Sequence, residues 1–82
     1  MNYQIEIKPR AFKDLRGLPK AQANRILDAV EALHDNLAGD VKKLTNHTPE
    51  YRLRVGDYRI LFEVESDIIV VYRITHRKNA YN

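Results

Sequence analysis

The sequence predicts an α+β domain in which a strand and two helices precede three further strands. Two observations support this order. Apolar residues recur with the 3.6-residue period of a helix between residues 11 and 37, and with period two between residues 51 and 74. The chain has 82 residues, which is the size of a single small domain. We therefore expect one domain, residues 1–82, of order β-α-α-β-β-β. Its two N-terminal helices should pack on one face of a small, mainly antiparallel four-stranded sheet.

The first strand and the first helix follow from local signals. Tyr3, Ile5 and Ile7 alternate with polar residues, which is typical of a half-buried strand. Pro9 fits the first turn of a helix, where its missing N–H costs nothing. Phe12 and Leu15 give this helix an apolar side, and Gly17 ends it.

The second helix is predicted to begin at Leu18-Pro19. Its apolar positions follow the helical period: Ala23, Ile26, Leu27, Val30, Leu33 and Leu37. Asn36 and Gly39 are typical helix-ending residues, so we expect this helix to end near them. The two helices together should form a helical hairpin that covers one side of the sheet.

The second half of the chain predicts an antiparallel meander. Alternating segments at 51–55, 58–64 and 68–74 are separated by Gly56-Asp57 and by Ser66-Asp67, which are turn-forming pairs. With Gly56-Asp57 as a two-residue turn, the first hairpin pairs Val55 with Tyr58, Leu53 with Ile60, and Tyr51 with Phe62. On the other face, Arg54 is then opposite Arg59 and Arg52 is opposite Leu61.

The second hairpin allows two registers. A two-residue turn at Ser66-Asp67 would place Arg73 among the core residues, and burying an unpaired guanidinium is costly. A three-residue loop at residues 65–67 instead sets Arg73 beside Arg59. This second register pairs Val64 with Ile68, Phe62 with Val70, and Ile60 with Tyr72. We expect the three-residue loop.

Four arginines then share one face of the sheet: Arg52, Arg54, Arg59 and Arg73. Like charges directly opposite one another destabilise a strand pair, so a site for a polyanion explains them better than a solvated face paired with Glu63. The following tail adds His76, Arg77, Lys78 and Tyr81. Guanidinium forks bind phosphate, and aromatic rings stack on bases, so this set is suited to single-stranded RNA.

These residues resemble a known family. Lys42-Lys43-Leu44, the segment YRLRVGDYRI at 51–60, the segment RITHRK at 73–78, and Tyr81 resemble RelE toxins of the RelE/ParE superfamily. The resemblance implies the toxin of a type II toxin–antitoxin module, which enters the ribosomal A site and cleaves mRNA without a metal. It also implies a cognate antitoxin whose extended C-terminal segment wraps the toxin. Operator DNA would be bound only through the complex with the antitoxin.

The resemblance also implies roles for individual residues. Arg59 would stabilise the phosphate, Arg77 the leaving group or transition state, and Tyr81 would stack on or orient a base and take part in proton transfer. Arg52 and Arg54 match a pair that is lysine in the best-known members. Because arginine does not give up its proton in proteins, the proton acceptor would be His76 or Tyr81, or catalysis would depend on charge alone.

The remaining expectations concern binding, cofactors and alternatives. Lys42 and Lys43, with Arg73 and Lys78, are expected to contact RNA. The three histidines lack metal-ligand spacing, so we expect no metal and no cofactor, and the sequence holds no cysteine. No segment is apolar enough to span a membrane, and a cytoplasmic protein is expected. Two alternatives remain: a ParE-like inhibitor of DNA gyrase, and a non-catalytic co-repressor that binds the antitoxin.

Overall fold

Two helices and five strands build the chain, in a computed structural model that describes residues 2–78. The helices are α1 (Pro9–Arg16) and α2 (Lys20–Ala32). The strands are β1 (Gln4–Ile7), β2 (Val41–Lys43), β3 (Tyr51–Val55), β4 (Tyr58–Glu65) and β5 (Ile68–His76). The α+β class and the two predicted helices are therefore present.

The helix boundaries follow the predicted signals with one exception. Pro9 opens α1, and the backbone N–H of Gly17 closes it by donating to the carbonyl of Asp14 at 3.2 Å. α2 begins directly after Pro19 but ends at Ala32, earlier than predicted. Asn36 and Leu37 both have positive φ, at 53° and 60°. The chain therefore already turns at these residues, before Gly39.

The sheet has five strands in the order β1-β5-β4-β3-β2, which corrects the predicted number of four. β2 is the strand that the sequence did not reveal, because three residues are too few to show alternation; it pairs antiparallel with β3. β1 lies parallel to β5, with Ile7 opposite Val71. The other three pairings are antiparallel, so the sheet is mixed.

The register of the first hairpin is confirmed pair by pair. Tyr51 is opposite Phe62, Leu53 opposite Ile60, and Val55 opposite Tyr58, while Arg52 is opposite Leu61 and Arg54 opposite Arg59. Gly56 supplies the turn with a φ of 58°. A Cβ there would lie 3.3 Å from Nη1 of Arg25, so both the backbone and the neighbouring helix favour glycine.

The predicted register of the second hairpin is wrong. Ser66, with a φ of 57°, and Asp67 form the two-residue turn, and Glu65 is opposite Ile68. The ladder then shifts, because Phe62 is opposite Val71 and Leu61 is opposite Arg73. Tyr72 is the extra residue of this β-bulge. The shift keeps Arg73 out of the core without the three-residue loop, and Arg73 is not directly opposite Arg59.

One apolar core joins both helices to the sheet. Its fully buried members include Ile26 of α2, Leu33 directly after α2, and Ile60 and Phe62 of β4. β5 contributes Ile74 to this core, as its alternation predicts, and also Ile69 and Val71 in place of the predicted Ile68, Val70 and Tyr72. The register change explains the difference, because a shift of one residue exchanges the two faces of a strand. Leu61 and Val70 are buried outside this cluster.

Candidate functional site

Three strands place four cationic side chains on the face of the sheet opposite the core. Lys42 of β2 is paired with Arg52 of β3, and Arg54 of β3 is paired with Arg59 of β4. Directly paired residues share a face of the sheet. The residues that alternate with these cations along the strands, such as Leu53, belong to the core on the other face. A concavity of about 200 Å³ lies at this place. Its lining, here called the arginine hollow, consists of Lys42, Leu44, Arg52, Arg54 and Arg59.

The three guanidinium groups are held to different degrees. Nη1 of Arg59 donates to the backbone carbonyls of Gly56 and Tyr58, at 3.3 and 3.2 Å. Nη1 of Arg52 donates to both the carbonyl and the carboxylate of Asp40, at 3.3 and 3.4 Å, and only 12% of the Arg52 side chain is exposed. Within residues 2–78, the guanidinium of Arg54 forms no ion pair or hydrogen bond. Arg54 can therefore bind an anion without breaking an existing contact.

The charge of the hollow is strongly positive. In the described part of the chain, Asp40 supplies the only carboxylate that forms an ion pair with one of its four cations. Asp40 is itself 61% exposed, so its charge is well screened. Fixed guanidinium donors in a hollow can bind a phosphate group and can stabilise negative charge that develops on its oxygens.

Arg77 is attached to the turn that also holds Arg59. Its N–H donates to the carbonyl of Asp57 at 2.7 Å, and its Nε lies 3.9 Å from Oδ1 of Asp57. Arg59 contacts the neighbouring Gly56 carbonyl. The structure therefore brings these two predicted arginines to the same end of the β3–β4 hairpin, where Arg77 remains 62% exposed.

His76 lies away from the arginine hollow. It is paired with Tyr58, and the two rings form an edge-to-face contact with centroids 5.6 Å apart. Tyr58 packs against the core, so His76 is on the helix side of the sheet. Thr75 takes the position beside Arg59, and its hydroxyl donates to the Arg59 carbonyl at 3.5 Å.

The remaining predicted RNA-binding residues separate. Lys43 is paired with Tyr51, a core-facing residue, and its Nζ lies 3.8 Å from Oε2 of Glu50. It therefore lies on the opposite face from Lys42. The N–H of Lys78 donates to Nδ1 of His76 at 3.3 Å. Tyr81 lies outside the described residues.

Arg73 is held by a residue that the sequence did not single out. Its Nε donates to Oδ2 of Asp14 at 2.9 Å, and the same oxygen accepts the N–H of Ile74 at 2.9 Å. Asp14 and Arg73 are 59 positions apart, so no local pattern connects them. Asp40 was missed for a related reason, since it precedes β2, which was not predicted.

No group of three or more His, Asp or Glu side chains between residues 2 and 78 is arranged to hold a metal ion. Neither α1 nor α2 is long and apolar enough to cross a membrane.

Comparison with known proteins gives the family. A family model described as the ParE toxin of the type II toxin–antitoxin system parDE matches residues 5–81. This chain belongs to the RelE/ParE family of type II toxins. Within it, the chain is a RelE-type toxin, as two curated relatives from Methanocaldococcus jannaschii show. It is 32% identical to RelE1, covering 99% of this chain and 97% of the relative. It is 37% identical to toxin RelE3, covering 85% of each.

A solved structure agrees with this RelE-type assignment. The crystal structure of the RelB-RelE antitoxin–toxin complex from Methanococcus jannaschii contains a chain that is 35% identical to this one. The match covers 93% of this chain and 94% of that chain, with a TM-score of 0.76. Two helices and a five-stranded mixed sheet are therefore the RelE fold.

Proposed function

We propose that this RelE-type toxin is a ribosome-dependent endonuclease that cleaves mRNA in the ribosomal A site and so inhibits translation in the cytoplasm. The arginine hollow is the observation that carries this proposal. Three guanidinium groups and one ammonium group line one concavity, and this arrangement suits a phosphodiester better than an uncharged ligand.

The chemistry follows from the charges. The 2′-oxygen of one nucleotide attacks the adjacent phosphorus, the bond from phosphorus to the 5′-oxygen breaks, and a 2′,3′-cyclic phosphate and a 5′-hydroxyl result. Negative charge develops on the phosphoryl oxygens during this step. Arg59, with its guanidinium fixed on two backbone carbonyls, and Arg54 would stabilise that charge. Arg77, whose N–H donates to Asp57 of the adjoining turn, would stabilise the leaving oxygen.

We assign proton transfer to a group other than the three arginines of the hollow, because guanidinium groups stay protonated. His76 lies on the other side of the sheet, which favours the two other options: Tyr81 as the proton-transferring group, or catalysis chiefly through charge. Tyr81 keeps the role that the family implies, which is to stack on or orient a base. No metal or cofactor enters this mechanism.

We further propose a cognate antitoxin as partner. The RelE chain of Methanococcus jannaschii was solved in complex with RelB, and this chain shares its fold and 35% of its sequence. An extended antitoxin segment with acidic side chains facing Arg54 and Arg59 would neutralise the hollow. Operator DNA would be bound only by the antitoxin part of this complex.

A cell-free translation extract tests the nuclease proposal. Added toxin should produce new mRNA 5′ ends at in-frame A-site positions, mapped by primer extension, and only on translated message. Arg59→Ala should lower the cleavage rate by about 100-fold or more, since removing one donor that stabilises developing charge typically costs that much. Arg16→Ala is the matched control, because Arg16 is an exposed arginine of α1 outside the hollow. Intact message at a dose that stops translation would refute the proposal.

Inhibition of DNA gyrase is the second candidate, because the matching family model is described as a ParE toxin. A supercoiling assay with purified gyrase distinguishes the two. Inhibited supercoiling together with intact mRNA would establish the gyrase inhibitor. A chain that affects neither process and leaves bacterial growth unchanged would instead be a non-catalytic co-repressor.

A further inference from the structure

A second hollow lies at the edge of β5, on the side away from β4. β1 pairs with β5 only as far as Val71, whose carbonyl accepts the N–H of Lys8. Beyond that point Asp14 of α1 takes the place of the missing strand and accepts the N–H of Ile74. The hollow has a volume of about 380 Å³. Its polar lining, here called the edge hollow, consists of Arg10, Lys13, Asp14, Arg73, Thr75 and His76.

Asp14 orients two guanidinium groups in the edge hollow. Its side chain is only 14% exposed. Oδ2 accepts a hydrogen bond from Nε of Arg73 at 2.9 Å, and Oδ1 lies 3.7 Å from Nε of Arg10. In the described range 2–78, no hydrogen bond engages the Nη groups of either arginine. Arg73 is therefore held at its Nε by a hydrogen bond, whereas Arg10, whose side chain is 62% exposed, forms a looser ion pair with the same carboxylate. Both arginines keep their terminal donor groups available for a ligand.

The composition of the edge hollow indicates the chemistry of that ligand. Three cationic side chains face one carboxylate that is already engaged by its neighbours. Planar terminal donors of arginine match the oxygens of phosphate. The apolar lining is Leu18, which is half-buried, and Ile74, which is 6% exposed. Arginine also anchors protein partners, so the competing ligand is an acidic peptide, which the test below distinguishes from a phosphodiester.

We propose that the edge hollow binds a backbone phosphate of RNA away from the scissile one, and so provides the toxin with a second attachment point on its substrate complex. Arg10, Lys13 and Arg73 bind the phosphate, and Asp14 is a positioning residue. The choice of RNA rests on the proposed function. β4, which carries Arg59 of the arginine hollow, pairs directly with β5, so the two hollows lie on neighbouring strands about 5 Å apart.

Fluorescence anisotropy with a labelled single-stranded RNA 12-mer over a salt series tests this proposal with the purified full chain. Each phosphate contact on a single strand contributes about 0.7 to the slope of log K against log salt. The double variant Arg10→Ala/Lys13→Ala should therefore reduce the slope by about 0.7 to 1.4. The matched control is Arg16→Ala/Lys20→Ala, which removes two exposed cations outside the hollow. It should change the slope much less.

Asp14→Asn tests positioning separately from charge. This variant makes the protein more positive, so a merely electrostatic effect would tighten RNA binding. Loss of the orienting carboxylate should instead weaken it, by about 3-fold or more at low salt, and Asp14→Glu should restore part of the affinity. If Asp14→Asn fails to fold, which thermal unfolding by circular dichroism would show, the exposed double variant alone decides the proposal.

Three results would overturn the inference. The first is an equal loss of slope in the two double variants, which would mean that only overall surface charge matters. The second is tighter binding of RNA by folded Asp14→Asn. The third is displacement of RNA by poly-glutamate from the wild type but not from Arg10→Ala/Lys13→Ala, which would assign the hollow to an acidic protein segment.

Failure of the nuclease proposal gives a different result. A chain that leaves translated mRNA intact, but whose RNA binding depends on the edge hollow, would refute the nuclease and keep the second attachment point. Cleavage of mRNA with unchanged binding by the double variant would refute only the edge hollow.

Discussion

The pairing of Arg54 with Arg59 is the residue-scale feature that the sequence predicted best. Once Gly56-Asp57 is the turn, the register follows from the alternation on both sides, and it is observed. The pair opposes two like charges directly across a ladder, which costs stability. Under the proposed function, binding of a phosphate by these two cations would offset that cost. The contacts of Asp14 and Asp40 could not be predicted in the same way, because they connect segments distant in sequence.

Asp40→Asn is expected to tighten RNA binding. The carboxylate of Asp40 competes with phosphate for Nη1 of Arg52, whereas the Asp40 backbone carbonyl, which also holds that nitrogen, is kept in the variant. Releasing one cation should steepen the salt dependence of RNA affinity by about 0.7 in slope.

Anisotropy with the same RNA 12-mer measures this effect. Asp35→Asn is the control, since Asp35 is an exposed acid that forms no ion pair in the described chain. A flatter slope for Asp40→Asn would mean that Asp40 organises the arginine hollow rather than competing for it.

At the scale of elements, β5 is the strand that the sequence described least well. Strict alternation predicts that every second residue of 68–74 faces the core. Tyr72 forms a bulge, so the residues before it and after it alternate in different registers. The sequence carries no mark of this bulge, because Val70, Val71 and Tyr72 suit either face. The cost of burying an unpaired guanidinium predicts that Arg73 stays out of the core, and the structure achieves this by a bulge instead of a longer loop.

Asp14 links α1 to β5 by two hydrogen bonds, so Asp14→Ala should destabilise the protein. The substitution removes two hydrogen bonds and leaves the Ile74 N–H without its acceptor. We expect a loss of about 1–3 kcal/mol in the free energy of unfolding.

Urea denaturation followed by circular dichroism measures the loss. Asp28→Ala is the control, because Asp28 is an exposed acid of α2 and its replacement should have an effect of less than about 0.5 kcal/mol. An equal effect of both substitutions would show that the Asp14 contacts do not hold α1 on the sheet.

At the scale of the whole molecule, the class, the helix pair and the meander could be predicted because each has a periodic signal. The fifth strand and the parallel β1–β5 pairing could not. β2 has only three residues, and β1 carries no information on its partner or its direction. Both depend on tertiary contacts, which a single sequence does not show.

The small core makes stability sensitive to single truncations. Phe62→Ala should lower the free energy of unfolding by about 3–5 kcal/mol, because Phe62 is fully buried. That is a large share of the ~5–15 kcal/mol that holds a domain folded. Phe12→Ala is the matched control, since 51% of Phe12 is exposed.

Chemical denaturation of both variants provides the measurement. A loss below about 1 kcal/mol for Phe62→Ala would show that the core can close around the missing ring. A bound antitoxin should recover part of the loss, because a ligand of the native state raises its apparent stability.

The shortness of β2 has a consequence for self-association. An outermost strand with unpaired backbone groups can recruit the same strand of another molecule and start aggregation. β2 has three residues, and two of them, Lys42 and Lys43, are exposed lysines that point to opposite sides. Repulsion between the lysines of two such short edge strands, on both faces of the sheet, disfavours growth of a continuous intermolecular sheet at high concentration.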